Sequence, residues 1–129
     1  MKYYYTKNTS KSFTAAEQSV REALKKRGFG IITEIDAQKT VKEKLGKDMP
    51  AYKILGACNP RFAHEAIEME PNIGVLLPCN ILVRQADTDV LISVILPSVQ
   101  LGKIGNPALQ SIAAQIEQQL KAAIDESTE

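Results

Sequence analysis

Two one-sided helices, one near each end of the chain, constrain this sequence more than any other feature. Leu109, Ile112, Ala113, Ile116, Leu120, Ala123 and Ile124 recur at spacings of three and four, and Phe13, Ala16, Val20, Ala23 and Leu24 do the same near the start. Either pattern gathers its apolar side chains into a single stripe, which has to be covered by another layer. The runs between the helices are strand-like, so the chain reads as helices laid on one face of a sheet.

The punctuation supports that division. Thr14 and Glu17 form a capping box for the first helix, and Gly28 follows its cationic end at Lys25, Lys26 and Arg27. Asn106 followed by Pro107 opens the last helix, since proline in the first turn forfeits no needed N–H. Residues 2–6, 30–35, 52–57, 81–85 and 90–96 read as strands, with 75–77 leading into the fourth. The last two pair as an antiparallel hairpin across the polar turn 86–89. Asp36 caps a short helix through Ala37, Val41 and Leu45 to Gly46. Asn59 and Pro60 open another, with Phe62, Ala63, Ala66 and Ile67 as its buried side, and Pro71 stops it. Asn8, Thr9 and Ser10 read as a turn, 97–106 as a loop without period, and 125–129 as a frayed tail. The expectation is one α+β domain over 1–129. It has a mainly antiparallel sheet of four or five strands, two long helices on one face and two short helices. A doubly wound parallel sheet stays open, because the first half alternates strand and helix.

Charge narrows the functional classes. The chain has 129 residues, and its 16 Lys and Arg stand against 15 Asp and Glu, so its net charge of +1 sets up no field for phosphate backbones or anionic lipid. Neither a nucleic-acid nor a membrane partner is expected. No apolar run approaches the ~20 residues of a membrane span, and the first residues hold tyrosines in place of a signal-type apolar stretch. With two cysteines and no such signal, the protein is expected in the reducing cytoplasm with free thiols.

Few residues carry chemistry. In Ile54-Leu55-Gly56-Ala57-Cys58-Asn59-Pro60 a cysteine meets a helix N-terminus, where the helix dipole favours a thiolate. The competing reading is a small buried hydrophobe beside an Asn cap. Leu77-Pro78-Cys79-Asn80 repeats the Cys-Asn pair at another strand entrance, so Cys58 and Cys79 can meet at one end of the sheet. They form no C-x-x-C motif, and with His64, the only histidine, they match no zinc spacing, so no metal and no cofactor is expected. His64 adjoins Glu65 and Glu68 and reads as solvated. Glu34 and Asp36 are paired carboxylates at a strand end, either an acid–base pair or a solvent-facing residue and a helix cap. Val99, Leu101 and Ile104 flank two glycines in a loop that could cap a pocket or a partner. Asn59, Pro60, Asn80, Glu34 and Asp36 are the candidate binding residues. Whether the chain is an enzyme stays open.

The stretches Gly28-Phe29-Gly30, Glu34-Ile35-Asp36, Lys44-Leu45-Gly46, 54–60 and Leu76-Leu77-Pro78-Cys79-Asn80 resemble the family called domain of unknown function 302. The likeness runs from Phe13 to about Leu120. It implies a curved antiparallel sheet with helices on one side, similar to the TATA-binding protein, with the short helices inserted between strands and the chain forming homodimers. It implies no activity. A strand such as Ile81-Leu82-Val83, apolar on both faces, also calls for a second cover, either a second copy or further helices. Two functional readings follow: a homodimeric binding module for a small molecule or a protein partner, or a thiol-dependent redox or sulfur-transfer protein using Cys58 with Cys79.

Overall fold

The computed structural model describes residues 2–129. Five strands, β1 (Tyr4–Thr9), β2 (Gly30–Asp36), β3 (Tyr52–Cys58), β4 (Cys79–Ala86) and β5 (Asp89–Ile95), form one sheet in the order β1-β5-β4-β3-β2. Every neighbouring pair is antiparallel, which removes the doubly wound alternative. Helix α1 (Phe13–Lys26) carries the chain from one edge strand to the other, and α5 (Pro107–Ser127) packs beside it. The short helices α2 (Ala37–Leu45) and α3 (Pro60–Met69) are inserted between successive strands, and α4 (Pro97–Gln100) is one turn after β5.

The period of two along the strands decides which face the helices cover. Val90, Ile92 and Val94 of β5 and Ile81 and Val83 of β4 are buried in one cluster with Val20, Leu24, Leu120 and Ile124 of the two long helices. Their alternates Leu82, Leu91, Ser93 and Ile95 are only half-buried. In register Leu82 faces Ser93 and Arg84 faces Leu91, so these side chains share the opposite, open side of the sheet. A smaller cluster joins Ala66 of α3, Leu101 after α4, and Leu109 and Ala113 of α5.

Several boundaries move, each for a tertiary reason. Ser12 caps α1, its hydroxyl accepting from the Ala15 N–H at 3.2 Å, in place of the Thr14–Glu17 box, because Glu17 is taken by Arg21 and Lys53. Asn8 and Thr9 belong to β1, since they pair with Leu91 and Val90, and ladder bonds outweigh turn propensity. Residues 75–77 are no strand: Pro71–Leu76 is a 3-10 turn that leaves Val75 84% exposed. Residues 97–104 form α4 and a second 3-10 turn in place of a loop. The tail does not fray at 125, because α5 runs to Ser127 and Glu126 binds Lys26 and Arg27. Ile67 is 45% exposed; Ala66 is the buried residue of α3.

Candidate functional site: an apolar chamber

β3 and β4 deliver Cys58 and Cys79 to the same end of the sheet. Their registers set Cys79 opposite Ala57 and Cys58 opposite Gly30. Gly56, two residues earlier in β3, allows the close approach beneath them: a Cβ there would lie 2.0 Å from Thr33 Oγ1 and 2.6 Å from the Pro78 ring. Over this end lie α3, the start of α5 and the Pro97 turn. Between them is a cavity of about 220 Å³ walled by Phe29, Phe62, Leu77, Leu101, Ile112 and Ile116 together with both thiols. Among the described residues no Asp, Glu, Lys, Arg or His lines it.

Both cysteines are free thiols. Burial pushes the Cys79 thiol up to about 11, and Cys58 beside it adds to the rise. Cys79 is therefore protonated at neutral pH, and the walls offer no cation to hold a thiolate.

Asn59 sits at the chamber wall but does not cap. Its side chain accepts nothing from α3, and its Nδ2 reaches across to the Arg27 carbonyl at 3.5 Å. The turn between α1 and β2 leaves room for it at Gly28, whose φ of +84° already requires glycine and whose Cβ, if present, would lie 3.1 Å from that nitrogen. Gln100 of α4, the other polar side chain of the wall, gives its Nε2 to the Leu76 carbonyl at 3.4 Å.

The remaining candidates lie elsewhere. Pro60 occupies the first turn of α3. Asn80 is exposed, opposite Gly56 in register, in the groove of the open sheet face. Glu34 sits 2.9 Å from Lys53 and 3.2 Å from Arg21, and Asp36 accepts from the Lys39 N–H at 2.9 Å as the α2 cap, so this pair is an ion cluster and a cap. His64 is exposed, its Nε2 3.2 Å from Glu68, and does not join the thiols. Sequence reasoning missed these walls: Phe62, Ile112 and Ile116 read as ordinary core, and Phe29 was given no packing role. Of the three loop residues considered as a cap, Leu101 lines the chamber; Val99 and Ile104 do not.

The family model of Domain of unknown function DUF302 matches residues 5–127. The crystal structure of an uncharacterized conserved DUF302 protein from Bacillus stearothermophilus is similar at a TM-score of 0.93 and 30% identity, covering 98% of this chain and 99% of that one. No curated protein matches the chain.

Proposed function

The chain belongs to the family described as Domain of unknown function DUF302, and from that premise we propose that it is a binding module whose chamber holds a small apolar molecule. The carrying observation is a cavity of about 220 Å³ with an almost wholly apolar wall. The pocket opens to solvent past the exposed Ile32, and a bicyclic apolar molecule entering it exchanges water and unfilled space for dispersion contacts with this wall. The thiol-dependent reading, which uses Cys58 with Cys79, is less well supported, because its second thiol is held protonated and no charged side chain lines the wall among the described residues. The test is a methyl and aromatic NMR titration with naphthalene. Saturable shifts at Phe62, Ile112 and Ile116 are expected, and shifts confined to the open sheet face, or none, would remove the proposal.

A second copy of the chain as cover for the open sheet face rests on a separate observation. Leu82, Leu91 and Ile95 line a groove there with Arg84 as its one charged residue among the described residues. An isologous contact sets a patch against itself, and a face nearly free of like charges suits that arrangement. Light scattering should return twice the chain mass, falling to one chain mass in Leu82→Arg; the mass of one chain for the unaltered protein would end this reading.

A further inference from the structure

We infer that two copies of the chain meet in one register through reciprocal ion pairs, Arg84 of each against Asp89 of the other; this rests on a second copy covering the open sheet face. The period of two and the ladder register fix what that face presents. Of the side chains that the five strands turn to it, one is cationic, Arg84, and one is anionic, Asp89. Asp89 stands opposite Ala86, and its carboxylate takes the Asn8 Nδ2 hydrogen bond at 2.7 Å, from a residue that itself faces Leu91. Glu34 is on the other side, held by Arg21 of α1.

Arg84 is the odd arginine. Arg21, Arg27 and Arg61 have a carboxylate at 2.9, 3.2 and 3.8 Å, whereas Arg84, half-buried in the groove, has none among the described residues. Covering the face strips water from its guanidinium, which costs heavily unless a charge partner arrives with the cover. An isologous contact can offer only residues of this same face, and the carboxylate that its strands supply is the partner's Asp89. Within one chain the two lie on neighbouring strands, Arg84 opposite Leu91 and Asp89 opposite Ala86. A two-fold axis lying in the plane of the face and passing between them sets each over the other's position in the partner, so one pair implies a second.

The test is charge reversal followed by mixing, read by sedimentation velocity. Arg84→Glu sets carboxylate against carboxylate and Asp89→Arg sets guanidinium against guanidinium, so each variant alone should dimerise about a hundredfold more weakly than the unaltered protein. Mixed in equal amounts, the two should form a heterodimer within about tenfold of the unaltered affinity, because both pairs then re-form with their signs exchanged. No effect confined to one chain produces that rescue. Lys103→Glu, the same charge change on an exposed turn, should leave dimerisation unaltered. Arg84→Asp and Asp89→Lys replace the first two if either lacks native circular dichroism. Variants that dimerise as tightly as the unaltered protein, or a mixture that stays as weak as its components, overturn the pairing with the cover reading intact. An unaltered protein that sediments as one chain removes both.

Discussion

Helix α5 carries one apolar stripe along its whole length, yet its two halves meet different surroundings. Leu120 and Ile124 are 1% and 0% exposed, closed in by α1 and the sheet, whereas Ile112 and Ile116, at the same spacing, retain 6% and 8% and face the chamber. Over the second half, side chains of α1 interdigitate with the stripe. Over the first half Leu109 and Ala113 are 0% exposed against Ala66 and Leu101, but beside Ile112 and Ile116 the covering pieces, α3 and the Pro97 turn, stand off and leave a gap. Identical periodicity therefore yields a sealed core in one place and a cavity in another, and the difference comes from what stands opposite.

Truncation should expose that difference most strongly. Leu120→Ala opens a new void in a filled region and is expected to cost about 3 to 5 kcal/mol, whereas Ile116→Ala enlarges a void whose lining already lacks partners and should fall at the low end of the range, about 2 kcal/mol. Urea denaturation of both variants checks this. Equal losses would mean that the chamber is filled in solution and that the two halves of α5 are alike.

A smaller effect contrasts the two ends of β3. At the Cys58 end the wall is uncharged, while at the other Lys53 lies 2.9 Å from both Glu17 and Glu34, with Arg21 also on Glu17. Burial alone would push Glu17 up, but the bonds and charges of Lys53 and Arg21 outweigh it and hold the carboxyl below its ordinary 4.5. The Glu17 bond, with help from Glu34, raises Lys53 above its ordinary 10.5. A lowered carboxyl contributes stability that is complete above its unfolded value and lost as pH falls through the folded one; a raised amine contributes stability complete below its unfolded value and lost as pH rises through the folded one. Stability from this cluster should thus be level from about pH 5 to 10 and decline outside that window. Glu17→Gln should cost about 1 to 2 kcal/mol at neutral pH and flatten the acid limb. An unchanged acid limb in that variant would show that the cluster contributes nothing. Naphthalene binding at the uncharged end should not change between pH 5 and 8.

Most of the fold was legible because the main helices and strands carry strong periodicity. The central pairing followed from the 81–85 and 90–96 runs, and the single helical layer from two stripes of similar width. The Asn-Pro pairs show where reading stops. Both announce a helix start, and both helices start there. Asn106 accepts from the Ala108 and Leu109 N–H groups at 3.0 and 3.3 Å, as its position suggests, but Asn59 turns to the Arg27 carbonyl. Only the fold places the end of β3 beside the turn at Gly28, and that contact competes with the cap.

By itself the sequence determined the one-sided helices, the strands that pair in a hairpin, the glycine and proline stops and the lack of a strong charge field, because these depend on residues a few positions apart or on composition. Only the tertiary structure decided that both thiols line one cavity, that Glu34 belongs to an ion cluster and that Phe62 and Ile116 face empty space. Those outcomes depend on how far apart the layers stand, and standoff is set by side chains distant in sequence, which periodicity does not record.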